Sequence, residues 1–247
     1  FDGAPLQRIA VLLHAPSAPT VLPGLIPGNA SITAPFTPPV ITGGAVITNY
    51  EYALSVDNGT KWWAWTPRNP ASTTSPITIG CLANGTAYRV KLRAVNAAGA
   101  GAESVMSSLV VPFTVPTAPT ITSATPGNGT ASIAFSPPAS NGGAAITNYK
   151  YSLDNGVTWL TRSPASTASP LQLAGLLIGH TYQVVLRALN LAGDGAASLP
   201  VSVTPRTVPD APTGVAVAAV GTSSAVLSFT APLSDGGAAV TNYEYAL

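Results

Sequence analysis

The phrase GGAVITNYEY at Gly43–Tyr52 returns as GGAAITNYKY at Gly142–Tyr151 and as GGAAVTNYEY at Gly236–Tyr245. The asparagines of the three copies lie 99 and then 94 residues apart. That interval is the size of one small β-sandwich, and it is far above the period of a helical or leucine-rich solenoid. The repeat therefore predicts a tandem array of small domains.

The predicted domain boundaries carry a Pro-x-x-Pro spacing, at Pro16–Pro19, Pro116–Pro119 and Pro209–Pro212. Two prolines restrict the backbone at closely spaced positions, which favours short and semi-rigid linkers. We divide the chain accordingly into a last strand of a preceding module (1–15), two modules (16–115 and 116–208) and the first three strands of a third module (209–247). This division predicts either a segment of a longer polypeptide or a chain whose incomplete ends meet between subunits.

Apolar residues alternate with polar ones, as expected of half-buried strands. Tyr182, Val184, Leu186 and Ala188 share one face of such a run. Asn-Gly turns separate neighbouring runs and supply the positive φ values of tight hairpins, and no segment keeps a helical period. We expect an all-β chain. The equivalent alternating runs are Ile32–Phe36, Tyr50–Leu54, Tyr88–Ala94, Ala131–Phe135 and Tyr149–Leu153.

Together with the boundary prolines and the Gly-Gly loop, the Pro-Pro pairs at Pro38–Pro39 and Pro137–Pro138 resemble the fibronectin type III family. The resemblance implies seven-stranded immunoglobulin-like β-sandwiches in a linear, beads-on-a-string array. It also implies that Tyr88 and Tyr182 form structural tyrosine corners. Where the family usually has a core tryptophan, this chain has phenylalanine, and the expected core residues are Phe36, Phe135 and Phe229.

Charged residues make up only 8% of the chain, against about 25% in typical soluble domains. The net charge is +1 and the ten basic residues are scattered, so we expect no nucleic-acid partner. Two long stretches, Ile9–Tyr50 and Ser104–Tyr149, contain no charged residue. Pro, Gly, Ser and Thr interrupt both of them every few residues, so we expect no membrane insertion. Because Cys81 is the only cysteine, an intrachain disulfide is excluded.

No catalytic constellation, metal-ligand spacing or cofactor motif stands out, and we expect no enzyme activity from these modules. His14 and His180 lie far apart in sequence, and His180 is beside the expected tyrosine corner. Cys81 is interpreted as a small hydrophobic residue.

The candidate ligand-binding residues are Trp62, Trp63 and Trp65. Alternation places Trp63 on the face opposite the other two, so at least one indole should be exposed. Flat indoles suit sugar rings or a partner surface, and the alternative is that they cover a sheet edge or a neighbouring module. Four sequons are candidate glycosylation sites, although turn chemistry alone also explains the three Asn-Gly-Thr copies: Asn29, Asn58, Asn84 and Asn128.

These observations favour a non-catalytic structural or adhesive stalk or fibre segment outside the cell or on a virus or phage particle. Its expected partners are neighbouring modules, lateral copies of the same fibre, or a surface glycan or receptor. The alternatives are a carbohydrate- or protein-binding module using the Trp62–Trp65 patch, and a spacer within a larger secreted glycoside hydrolase.

Overall fold

A computed structural model describes residues 12–246. This part of the chain contains β-strands, turns and no helix. It divides into two compact units: unit 1 is 12–114 with Gly142–Ala144, and unit 2 is Val115–Asn141 with 145–246. The predictions of an all-β fold and of tandem immunoglobulin-like sandwiches are confirmed.

Unit 1 contains one sandwich with two main sheets. One sheet has the strand order β2-β3-β7, the facing sheet has the order β6-β5-β8-β9, and a short β1-β4 pair adjoins them. All pairs are antiparallel. The strands are β1 (Thr20–Val21), β2 (Ile26–Gly28), β3 (Ser31–Ala34), β4 (Phe36–Thr37), β5 (Asn49–Ser55), β6 (Thr66–Pro67), β7 (Ile77–Ile79), β8 (Arg89–Asn96) and β9 (Gly99–Ala100).

The sandwich of unit 2 repeats this plan. One sheet has the order β10-β11-β14, and the other has the order β13-β12-β15-β16, with β17 also paired to β15. The strands are β10 (Thr120–Gly127), β11 (Thr130–Ser136), β12 (Asn148–Ser152), β13 (Leu160–Thr161), β14 (Leu171–Ala174), β15 (Tyr182–Asn190), β16 (Gly193–Asp194) and β17 (Val201–Val203).

Side-chain alternation places the core between the two sheets of each sandwich. Along β8 every second residue from Val90 is buried, whereas Arg89, Lys91 and Arg93 lie on the outer face. Such a period of two is what a half-solvated antiparallel strand requires. The two cores include Ile32, Phe36, Tyr50, Ile77 and Leu92 in the first sandwich, and Ile133, Phe135, Tyr149, Leu171 and Leu186 in the second.

Tyr88, just before β8, and Tyr182, the first residue of β15, each accept a backbone N–H at their hydroxyl from the residue five positions upstream. Ala83 N donates to Tyr88 Oη over 3.0 Å, and Leu177 N donates to Tyr182 Oη over 3.0 Å. A hydrogen bond of this kind ties the loop before the strand to the strand itself, as in the tyrosine corner of immunoglobulin-like sandwiches.

The chain enters each sandwich at one end and leaves it at the opposite end. In unit 2, Ala196, two residues after β16, donates its N–H to Pro116 O over 3.1 Å. At the opposite end of β15, Gly179 donates its N–H to Pro205 O over 2.9 Å. Since β15 has nine residues, the two ends lie about 30 Å apart.

Unit 1 follows the same rule. Ala102 N donates to Pro16 O over 3.0 Å, and Gly85 N donates to Pro112 O over 2.8 Å, so these two contacts lie at opposite ends of β8.

Residues 209–246 form an antiparallel hairpin of β18 (Thr213–Val220) and β19 (Ala225–Thr230). Phe229, expected as a core residue, is 44% exposed, because no second sheet covers this hairpin among the described residues. Three strands were expected within 209–247, and β18 and β19 are the two that form among the described residues of this segment. Most of the predicted strand at residues 1–15 lies outside the described residues.

Candidate functional site

A tight turn after β5 positions the tryptophan-rich segment. Asn58 and Gly59 adopt φ values of +61° and +92°, which Asn tolerates and Gly adopts freely. Ser55 Oγ accepts the Gly59 N–H, and Asp57 Oδ1 accepts the Lys61 N–H over 2.8 Å. The turn therefore fixes where the next residues leave the sheet.

Two of the tryptophans lie under cations from β8. Lys91 Nζ is 4.6 Å from the ring centroid of Trp62, and the guanidinium carbon of Arg93 is 4.4 Å from that of Trp65. The indole N–H of Trp62 also has a hydrogen-bond partner, because it donates to Gly59 O over 3.0 Å. Cation–π pairs of this geometry stabilise a folded sheet surface. They occupy one face of each ring.

Trp63 has a different partner. Its ring stands edge-on to Tyr88, with centroids 6.0 Å apart and an interplanar angle of 86°. Half of its surface is exposed, whereas Trp62 and Trp65 are partly buried. Trp63 is thus the most accessible of the three indoles.

The cations of this surface are also paired with acids. Arg93 Nη2 lies 2.6 Å from Glu51 Oε2, and Lys91 Nζ lies 3.0 Å from Glu103 Oε2. The Lys91–Glu103 pair is exposed and contributes little stability, and both pairs compensate charge locally. They make this surface a poor site for an anionic ligand.

Unit 2 has an equivalent cluster that sequence reasoning did not single out. The guanidinium carbon of Arg187 is 4.1 Å from the Trp159 ring centroid, and Trp159 Nε1 donates to Gly156 O over 3.0 Å. Asp194 Oδ2 accepts from Arg187 Nη2 over 2.6 Å and from Lys150 Nζ over 2.9 Å. The available signal was the match between Arg187 and Arg93 on the outward face of equivalent strands.

The turn before Trp159 also holds a strongly perturbed carboxyl. Hydrogen bonds from the Ser152 hydroxyl, then from the Thr158 hydroxyl and N–H, lower the pKa of Asp154 to about 2. In unit 1 the Lys61 N–H and the Ser55 hydroxyl lower the pKa of Asp57 as well. Both acids are exposed turn residues, and these shifts reflect hydrogen bonding to the charged form.

The remaining residues singled out in the sequence are dispersed. His180 stacks edge-on against Tyr182, with ring centroids 4.7 Å apart. Cys81, interpreted as a small hydrophobic residue, is instead exposed, because it occupies a turn position with a φ of +59°. Among residues 12–246, no group of three His, Cys, Asp or Glu side chains is arranged to hold a metal ion. The same residues include no helix that is both long and apolar enough for a membrane span.

Two of the four sequon asparagines contact each other. Asn84 Nδ2 donates to Asn29 Oδ1 over 2.9 Å, and Asn84 Oδ1 accepts the Ala30 N–H. Asn58 Oδ1 accepts from Arg89 Nε over 2.7 Å, whereas Asn128 is exposed on the turn between β10 and β11. Glycosylation of Asn84 would therefore replace an existing contact, and glycosylation of Asn128 remains a prediction.

Two curated proteins are similar to this chain in sequence. The chain is 29% identical over 245 residues to Exoglucanase B of Cellulomonas fimi, a match that covers 92% of this chain and 21% of the relative. It is 30% identical over 169 residues to human Roundabout homolog 3, covering 65% of this chain and 12% of that protein. The chain thus spans about a fifth or less of the length of these curated relatives.

Among solved structures, the FN1-FN3 domains of chicken CNTN1 align with a TM-score of 0.38 at 16% identity, covering 87% of this chain and 74% of that chain. No protein-family profile matches the chain.

Proposed function

We propose that this chain is a non-catalytic spacer in an extracellular or surface protein, where each sandwich adds reach. One observation carries the proposal. The chain enters and leaves each sandwich at opposite ends of its longest central strand, which is β8 in the first sandwich and β15 in the second. A sandwich with both connections at one end would add little length. The eight residues of β8 and the nine of β15 give each sandwich about 25–30 Å along the chain.

The tryptophan clusters support a structural role. Each of Trp62, Trp65 and Trp159 has a cation of the same chain over one ring face. Sugar stacking on these rings would be limited to the one face that the cation leaves. The low charge of the chain also makes contacts with neighbouring modules or lateral copies insensitive to salt.

Two settings fit this role, both with extracellular location. One is a structural or adhesive stalk or fibre on a cell or on a virus or phage particle. The other is a spacer within a larger secreted glycoside hydrolase, which the similarity to an exoglucanase over 92% of this chain favours. The catalytic activity of that relative is no part of the proposal for these residues.

Single-molecule pulling tests the spacer role. The two modules, 16–115 and 116–208, have 100 and 93 residues, so the unfolding of each should appear as one discrete step that lengthens the chain by about 300 Å. We expect two such steps for the two sandwiches, since their strands unfold cooperatively. Gradual lengthening without steps at low force would overturn the proposal, because such a chain could not hold a distance under load.

A second candidate function is carbohydrate or protein binding through Trp63. The half-exposed indole is the observation that favours it. Affinity electrophoresis in gels containing soluble polysaccharide tests it, with Trp63→Ala as the variant and Leu160→Ala, also half exposed in unit 2, as the matched control. Retardation that Trp63→Ala alone abolishes would establish binding. Unretarded migration of the unmodified chain would exclude binding of the polysaccharides tested.

A further inference from the structure

The two glycines of the repeated Gly-Gly loop have separate roles. The first one contacts the linker that precedes its own module. In unit 2, Thr207 N donates to Gly236 O over 2.8 Å, and a Cβ on Gly236 would lie 2.3 Å from Thr207 O. In unit 1, His14 N donates to Gly43 O over 2.8 Å, and a Cβ on Gly43 would lie 1.9 Å from His14 O. A side chain at this position would displace the linker.

The second glycine contacts a turn of the preceding sandwich. A Cβ on Gly237 would lie 2.8 Å from Gly179 N and 2.9 Å from Ile178 Cγ2, whereas a Cβ on Gly179 would lie 3.5 Å from the Cα of Gly237. Gly179 belongs to the turn before β15, and its N–H already binds Pro205 O in the linker. Turn, linker and loop therefore meet backbone against backbone.

Unit 1 repeats this contact. A Cβ on Gly143 would lie 2.3 Å from Gly85 N, and Gly85 occupies the equivalent turn before β8. Thr114 N donates to Gly142 O over 2.7 Å, in the position that Thr207 and Gly236 occupy in unit 2. All four glycines at the two contacts have φ values between +77° and +87°. Such values are strained for any residue with a Cβ.

We propose that the Gly-Gly loop and the turn glycine form an interlock between consecutive modules. The partner that fits this glycine turn is the Gly-Gly loop of the next module of the same kind. Hydrogen bonds from the linker to the loop are part of the interlock. The linker, including its Pro-x-x-Pro segment, is therefore restrained and does not act as a hinge. The inference deepens the proposed spacer role, on which its biological meaning rests, since a spacer of fixed junctions keeps a defined length.

Amide hydrogen exchange of the full chain tests the interlock. The reporters are Thr207 N–H and Asp210 N–H, which bind Gly236 O and Ser234 O over 2.8 and 3.0 Å. Gly237→Ala should speed their exchange by about tenfold or more, because the added Cβ separates loop and turn. The matched control is Gly175→Ala. Gly175 has a φ of +70°, so the substitution introduces the same type of backbone strain, but the space around its Cβ is open.

A further amide separates loss of the interlock from global unfolding. Leu186 N–H binds Ser198 Oγ inside the second sandwich, so its exchange should be equal in Gly237→Ala and in the unmodified chain. The proposal is overturned if Gly237→Ala and Gly175→Ala affect Thr207 and Asp210 equally, or if these amides exchange without protection in the unmodified chain. Neither result would change the number of steps in the pulling experiment, so failure of the interlock is distinguishable from failure of the spacer role.

Discussion

The rings of Phe135 and Tyr149 pack with centroids 4.6 Å apart and planes inclined by 58°. The equivalent pair in the first sandwich, Phe36 with Tyr50, has a separation of 4.4 Å and an angle of 55°. These four rings are buried, and burial raises the pKa of both tyrosines. The same phenylalanine–tyrosine contact thus joins β4 to β5 in the first sandwich and β11 to β12 in the second.

Phe135→Ala should destabilise the second sandwich by about 3–5 kcal/mol, because the lost ring leaves a cavity between closely packed sheets. Urea unfolding measures this loss. Phe229→Ala is the matched control: Phe229 has the same geometry against Tyr243, at 4.6 Å and 58°, but it is 44% exposed. Its substitution should change the free energy of unfolding of the second sandwich by less than about 0.5 kcal/mol. A loss below about 1 kcal/mol for Phe135→Ala would contradict its position in the core.

The sequence pattern was sufficient to predict an all-β chain and most of the core, and the resemblance to fibronectin type III modules implied the sandwich architecture. Alternation along β8 and β15 depends on a period of two that follows from strand geometry alone, so Val90, Leu92 and Leu186 could be placed without coordinates. The cations over Trp62 and Trp65 could not be predicted in the same way. Which cation lies over which ring depends on the register between two strands and on the conformation of the turn. Neither can be deduced from one segment of sequence alone.

The serine contacts at the sheet edge beside β8 could not be predicted from the sequence either. Residues 101–109 form no regular strand beside β8, and serine hydroxyls replace part of the ladder there. Ser107 Oγ accepts the Val90 N–H, and Ser104 Oγ accepts the Leu92 N–H. A serine in an irregular segment has no periodic signature, so only the fold shows that its hydroxyl is buried.

Ser198→Ala should cost about 1–3 kcal/mol, because it leaves the buried Leu186 N–H without its acceptor. Urea unfolding measures the change. The control is Ser202→Ala, which removes an exposed hydroxyl that accepts from Gln183 Nε2. Water can replace that partner, so the control should cost less than about 0.5 kcal/mol. Equal losses for the two variants would show that burial of the hydroxyl is unimportant.

Stability should rise with pH in the acid range through Asp154. Its pKa of about 2 lies below the ordinary value of 3.8, so the unfolded state binds more protons between these two values. The stabilisation is full above about pH 5 and is lost as the pH falls towards 2. Titration of the Asp154 carboxyl by NMR measures the folded pKa. Thr158→Val should raise that pKa by removing a hydroxyl donor, and Thr161→Val should not. An unchanged pKa in Thr158→Val would contradict the hydrogen-bonding cause.

Arg187 and Trp159 should show a coupling free energy of about 0.5–1 kcal/mol in a double-mutant cycle of Arg187→Met and Trp159→Leu. The guanidinium lies over the ring, so removing either partner removes the cation–π contact. Urea unfolding of the four variants gives the coupling. A second cycle with Arg206→Met in place of Arg187→Met is the control, because Arg206 is exposed and its N–H binds Gly127 O, at the end of β10 in the other sheet. Coupling of zero in the first cycle would show that the two side chains are neighbours without mutual stabilisation.

Cys81→Gly should stabilise the first sandwich by about 1 kcal/mol. Cys81 has a φ of +59° in an exposed turn, and its counterpart in the second sandwich is Gly175, with a φ of +70°. A residue with a Cβ is strained by about 1–2 kcal/mol in this region, and the greater chain entropy of glycine in the unfolded state offsets part of the gain. Cys81→Ala separates conformation from loss of the thiol, since alanine keeps the strain and should leave the free energy of unfolding within about 0.5 kcal/mol of the unmodified chain. If Cys81→Gly and Cys81→Ala unfold at the same urea concentration, backbone conformation does not determine stability at this turn.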